Sequence, residues 1–165
     1  MIKGLHHNAY RCRDSEETRR FYEDFLGLPL VHTLAIEETM TGRKTGAGVL
    51  HTFFQLDDGS CLAFFEAPDM PFEFKAQHDY DLHIALEVTP EALRAMFDKG
   101  NAAGIETRGI SDHGFIDSIY FRDPNGYVIE LTARRPNHDR EMDPALNDAR
   151  GVLDAWQARK AGTAS

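Results

Sequence analysis

The sequence predicts an α+β protein made of two βαβββ modules whose curved mixed sheets pair around a cleft, with a helix appended at the C-terminus. Three observations predict it. The phrases His7-Asn8-Ala9-Tyr10-Arg11-Cys12 and His83-Ile84-Ala85-Leu86-Glu87-Val88 align with identity at the histidine and the alanine, and each opens its half of the chain. Each is followed by a helix start, Asp14 with Glu17 three residues on in the first half and Thr89-Pro90 in the second. Each half then closes on a turn between apolar runs, Asp57-Asp58-Gly59 and Asp123-Pro124-Asn125-Gly126. Two similar units imply pseudo-twofold symmetry and a cleft where concave faces meet.

In chain order, Leu5 to Cys12 reads as a strand. The helix after Asp14 places Phe21, Phe25 and Leu26 on one face and stops at Gly27. Pro29 to Leu34 reads as a second strand. Glu37 to Gly48, polar and rich in Thr and Gly, is expected to be a mobile hairpin tip or lid. Val49–Leu56 and Ser60–Phe65 are two more strands, and Ala67 to Asp81 behaves as a linker. In the second half, a helix carries Leu93, Met96 and Phe97 on its apolar face and ends at Gly104. A strand at Ile105–Arg108, a loop at Asp112-His113-Gly114 and the final hairpin follow. Modules at 1–68 and 80–135 make one domain over 1–135. The extension 136–165 carries a helix at about 144–160 with Leu146, Ala149, Leu153 and Trp156 on one face, suited to docking on the domain or a second subunit.

Composition narrows the function. The 165 residues are 42% apolar and 27% charged with a net charge of −9, a globular mix that argues against nucleic acid or an anionic membrane as partner. No apolar run approaches the ~18 residues of a membrane span, and the start MIKGLHH lacks the apolar core of a signal peptide, so a cytoplasmic protein is expected. Cys12 and Cys61 fall in strands without paired-motif spacing and read as buried thiols. A small molecule is the expected ligand.

Glu130 stands inside the apolar run Tyr127 to Thr132. An ionised carboxylate there is costly unless a metal, a proton or a cation compensates it. His7 and His83 occupy equivalent repeat positions. Two imidazoles and one carboxylate hold a divalent metal while leaving coordination positions open, so His7, His83 and Glu130 are the candidate ligands of a metal cleft.

These residues carry a resemblance. Gly4-Leu5-His6-His7, the Phe21-Tyr22 to Leu26-Gly27-Leu28 helix end, and Asp123-Pro124-Asn125-Gly126 through Glu130 resemble the recurring phrases of the vicinal oxygen chelate superfamily. That superfamily includes glyoxalase I, methylmalonyl-CoA epimerase, fosfomycin-resistance transferases, type I extradiol dioxygenases and metal-free bleomycin resistance proteins. The resemblance covers roughly residues 1 to 133. It implies that His7, rather than His6, is the ligand, with His6 on the other face of its strand, and that the site forms within one chain or across a homodimer.

His113, Ile119-Tyr120, Asp123-Pro124-x-Gly126 and Glu130 resemble, in order and spacing, the pattern of type I extradiol dioxygenases, with Ser111 departing from it. The resemblance implies that His113 and Tyr120 line the substrate pocket and that iron(II) is favoured, with manganese, zinc, nickel or cobalt as other ions of the superfamily. The expected reaction is cleavage of a catecholic ring with O2. The further histidine such enzymes carry on the last strand of the preceding unit is missing from Leu62-Ala63-Phe64-Phe65-Glu66, and His51 and His78 are the substitutes at hand. Two alternatives stand beside this one. Glyoxalase- or epimerase-type isomerisation would use Glu66 as a fourth ligand, although hairpin register matches Ala63, not Glu66, to Glu130. A metal-free protein that sequesters a drug or metabolite would need none of the three ligands.

Overall fold

Two four-stranded sheets repeat one pattern. β1 (His7–Cys12), β4 (Cys61–Glu66), β3 (Lys44–Gln55) and β2 (Leu30–Glu38) lie in that order in the first, and β5 (His83–Glu87), β8 (Val128–Arg134), β7 (Ile116–Arg122) and β6 (Thr107–Asp112) in the second. The opening strand of each repeat thus sits beside its closing strand, which is the predicted βαβββ plan written twice. A computed structural model describes residues 1–38, 44–74, 80 and 82–162. It divides into two compact units, residues 1–83 with 122–128, and residues 84–121 with 129–165.

In the first unit, β1 runs parallel to β4 with His7 opposite Cys61, while β3 is antiparallel to both β4 and β2. Alternation sends Leu62 and Phe64 of β4 and Phe54 of β3 to one face, where all three are buried. That face packs on α1 (Ser15–Arg19) and its π-helical continuation Arg20–Phe25. Asp14 caps α1, accepting the Glu17 amide at 2.8 Å. An ordinary helix would have buried Phe21, Phe25 and Leu26. The wider turn, closed by the Leu26 amide on the Phe21 carbonyl at 2.9 Å, instead buries Tyr22 with Phe21 and Phe25. Tyr22 lies 4.7 Å from the Phe64 ring and 5.5 Å from Phe54.

The turn at residues 122–128 completes this core. Asn125 Oδ1 accepts the Arg13 amide at 2.8 Å, Tyr127 donates its hydroxyl to the Arg11 carbonyl at 2.8 Å, and Tyr22 donates to Asp123 Oδ2 at 2.9 Å. Gly126 takes φ +91°, a left-handed value that suits glycine at the end of this turn. Cys12 and Cys61 are free and buried, and burial pushes the Cys12 thiol up to about 11, where it is unreactive.

Much of the expected lid is strand. β2 continues to Glu38 and β3 begins at Lys44, with register shifts near Leu30/His32 and Ile36/Glu38. Pairing of the edge strand β2 with β3 satisfies backbone groups that a loop would leave to water. The tip at 39–43, and linker residues 75–79 and 81, including His78, lie outside the described residues.

In the second unit, Thr89 caps α2 (Pro90–Ala102) by accepting the Ala92 amide at 3.2 Å. Ile119 and Phe121 of β7 are buried together with Ile129 and Leu131 of β8 and Leu93 of α2. β6 begins two residues later than expected and carries a register shift at Gly109/Ser111. Among the described residues the C-terminal extension holds two helices, α3 (His138–Glu141) and α4 (Ala149–Gly162), where one was expected from about 144. Asp143 opens a turn rather than a helix, since its carboxylate takes the Ala145 amide at 2.8 Å and its carbonyl takes those of Leu146 and Asn147. Leu146, Leu153 and Trp156 are 64%, 50% and 52% exposed. No helix among the described residues is long and apolar enough to cross a membrane.

Candidate active site

Alternation along β7 separates Ile119 and Phe121, which are buried, from Ser118 and Tyr120 on the other face. Glu130 shares that second face from β8, as does Thr132, whose hydroxyl lies 3.3 Å from Ser118 Oγ. The Tyr120 phenol lies within reach of the Glu130 charge, and Glu130 is 6% exposed. Burial first, and then the Glu130 charge, hold the Tyr120 phenol above its ordinary value.

His113 reaches the same phenol from the β6–β7 turn. Its Nε2 is 2.7 Å from Tyr120 Oη. The turn is fixed by its own amides: His113 N–H donates to the Ile116 carbonyl at 3.0 Å, and the Gly114 amide donates to Asp112 Oδ1 at 2.7 Å. Asp112 also pairs with Arg135. The structure therefore brings together His113, Tyr120 and Glu130, a phenol with an imidazole on one side and a carboxylate on the other. Such a chain can hold a proton at Tyr120 Oη or pass it to His113 Nε2. Sequence reasoning missed Arg108, which the β6–β7 register sets opposite Tyr120 and whose guanidinium lies 5.7 Å from the ring centroid. Only the strand pairing would have pointed to it.

The other candidates are placed as follows. His7 opens β1 and is exposed, its ring edge-on to Phe53 at 5.4 Å. His6 was expected on the opposite face of the strand, yet its Nδ1 lies 2.7 Å from His7 Nδ1. The strand begins at His7, so alternation does not govern His6. His83 opens β5 and is exposed. Its alternation partner Glu87 pairs with Arg134 at 2.8 Å, on the β8 face that carries Glu130.

Glu66 does something else. It ends β4 without a bulge, on the helix-packed face, and its Oε2 accepts the Ser15 amide at 2.7 Å. The expected fourth ligand is a cap on α1, the alternation of β4 having turned it from the face of Ala63.

Among the described residues, no group of three or more His, Cys, Asp or Glu side chains lies close enough to hold a metal ion. By donor chemistry His7, His83 and Glu130 nonetheless fit a divalent cation, being two imidazoles and a buried carboxylate.

Comparison with known proteins gives the family and the fold. The chain is 26% identical over 136 residues to a candidate ring-cleaving dioxygenase, MhqA, of Bacillus subtilis, matching 80% of this chain and 40% of that protein. It thus spans well under half of that relative. It is 27% identical over 137 residues to the metallothiol transferase FosB of Shouchella clausii, with 79% of this chain and 80% of that one covered. The fold resembles that of the fosfomycin resistance protein FosX from Listeria monocytogenes complexed with manganese(II) and sulfate, with a TM-score of 0.60, 21% identity, and coverage of 84% of this chain and 98% of that one. The family model for the Glyoxalase/Bleomycin resistance protein/Dioxygenase superfamily matches residues 4–131, and the chain belongs to that superfamily.

Proposed function

We propose that this protein is a divalent-metal enzyme that cleaves a catecholic aromatic ring with O2, the metal being held by His7, His83 and Glu130. The observation that carries the reading is the 2.7 Å contact of His113 Nε2 with Tyr120 Oη, the same phenol facing Glu130. Bound iron(II) would supply Lewis acidity and adjacent open positions for oxygen donors. Tyr120, its phenol kept neutral by burial and by Glu130, donates a hydrogen bond to a substrate oxygen. His113 receives or returns the proton at Nε2, and Arg108 offsets negative charge beside the ring. Both atoms of O2 enter the ring-opened product, so no external reductant is required.

The test is oxygen uptake by protein reconstituted anaerobically with iron(II), mixed with a panel of catechols. Uptake matched one to one by ring-cleaved product is expected. Glu130→Ala should lose the metal while the circular dichroism stays that of the parent, and Tyr120→Phe should keep the metal and lose roughly 10²-fold or more in turnover. Metal retention by Glu130→Ala at the parent's affinity would sink the site.

A second reading has one observation in its favour: the match to the metallothiol transferase runs over 80% of that relative, against 40% for the ring-cleaving one. Thiol consumption by the manganese-loaded protein in the presence of fosfomycin, with no oxygen uptake on any catechol, would establish it. The glyoxalase or epimerase alternative loses its fourth carboxylate to the α1 cap.

A further inference from the structure

His51, on β3, is 6% exposed and belongs to the face of the first sheet that turns away from the helix. Pairing sets it opposite Phe65 of β4, and the two rings stack with centroids 3.7 Å apart at 14°. Phe53, two residues along β3, lies 4.2 Å away. The Nδ1 atom is 3.0 Å from the Phe64 carbonyl oxygen. A carbonyl can only accept, so Nδ1 carries a proton and donates it. In the neutral ring this leaves Nε2 as a lone-pair acceptor, and among the described residues Nε2 has no hydrogen-bond partner.

Packing alone would explain the stacking but not an imidazole, whose second nitrogen is an acceptor on this face. The surroundings indicate what would pair with it. Phe53 and Phe65 are only partly buried, His32 stands 5.5 Å from the Phe53 ring, and His7 stands 6.0 Å from His51. Alanines at positions 9 and 63 leave the middle of this face without bulk. The result is a wall of flat rings with one oriented acceptor set into it, and a planar aromatic carrying a hydroxyl satisfies both.

We infer that His51 is a substrate-contacting residue whose Nε2 accepts a hydrogen bond from a hydroxyl of an aromatic ligand lying against Phe53. The inference rests on the catechol reading above and gives His51, one of the two histidines at hand for the one missing from β4, a hydrogen bond to the substrate. The oriented acceptor selects a protonated hydroxyl, so a catechol offers it one oxygen as a donor.

The probe is 4-nitrocatechol, whose binding to the metal-loaded protein is read from its visible spectrum. His51→Asn keeps a donor near the Phe64 carbonyl and removes the Nε2 acceptor, whereas His51→Gln places an amide oxygen near the Nε2 position. His51→Asn should weaken binding by about tenfold or more, the scale of one lost hydrogen bond in a buried site, while His51→Gln stays within about threefold of the parent. Metal content should be unchanged in both. Parent-like affinity in His51→Asn, or equal losses in the two variants, would overturn the inference. Should either variant fail to fold, nitrogen-15 NMR of the zinc-loaded parent decides: the lone-pair resonance of His51 Nε2 must move upfield when 4-nitrocatechol is added, and a fixed resonance rejects the contact. A parent protein that binds no 4-nitrocatechol brings down the catechol reading and this inference together. Binding with an unresponsive His51 brings down only the latter.

Discussion

Asp123 accepts four hydrogen bonds while only 4% exposed: the amides of Asn125 at 2.9 Å and Tyr127 at 2.8 Å, the Asn125 side chain at 3.0 Å and the Tyr22 hydroxyl at 2.9 Å. Burial still pushes its carboxyl above the ordinary value. Tyr22→Phe removes one donor from this carboxylate and should destabilise the protein by about 1–3 kcal/mol, read as a lower denaturation midpoint at unchanged slope. The Tyr22 phenol is itself held well above its usual value, first by burial and then by Asp123. Its folded pKa exceeds that of an unfolded tyrosine, about 10. The stability it contributes is therefore complete below pH ~10 and lost as pH rises through the folded value. Ultraviolet phenolate absorbance should show one tyrosine ionising only as the fold is lost, and that component should be missing in Tyr22→Phe. In the sequence, Asp123 was legible as a turn residue and Glu130 as a buried carboxylate. The bond from Tyr22 to Asp123 was not, because the two stand far apart in the chain and no local pattern records a long-range hydrogen bond.

Gly100 sits within α2, where replacing glycine by alanine normally favours a helix by up to ~1 kcal/mol. Here a Cβ would meet Thr107 Oγ1 and come within 2.5 Å of Phe121 Cε1. Gly100→Ala should therefore destabilise by about 1–3 kcal/mol, measured by chemical denaturation, the overpacking outweighing propensity. A stabilised variant would show that α2 can move off β7. Strands and caps were the legible elements: Asp14 and Thr89 cap their helices as their side chains and spacing indicate. The π-turn that buries Tyr22 was not legible, since α-helical spacing assigns that place to Leu26. Nor was the late start of α4, because the Asp143 side chain and carbonyl close a turn whose residues read equally well as a first helical turn. Glu66 was legible as the odd member of its hairpin register. Its use appears only with the Ser15 amide in view.

The duplicated plan could be read from the aligned phrases at His7 and His83 and from the paired hairpins, because a repeat signals itself at every scale of the chain. What no repeat could show is that residues 122–128 belong to the first compact unit while the strands on either side continue in the second. A fragment ending at residue 83 would lack Asp123, Asn125 and Tyr127. The buried Tyr22 hydroxyl and the Arg13 amide would then lose their partners, at about 1–3 kcal/mol each, out of a typical total of about 5–15 kcal/mol. Such a fragment should show no cooperative thermal transition by circular dichroism, and a cooperative one would mean that the turn is dispensable.

That late turn also sets a schedule. On a ribosome the first unit is not finished when its own stretch of chain has been made, for it must wait for the 44 residues from Ile84 to Tyr127. At about 5–20 residues per second the delay is roughly 2–9 s. Throughout that interval the nascent chain holds Tyr22 and its aromatic neighbours ready for an acceptor that has not yet been synthesised, and the first half of the protein is, for those seconds, a client for whatever shields exposed apolar surface.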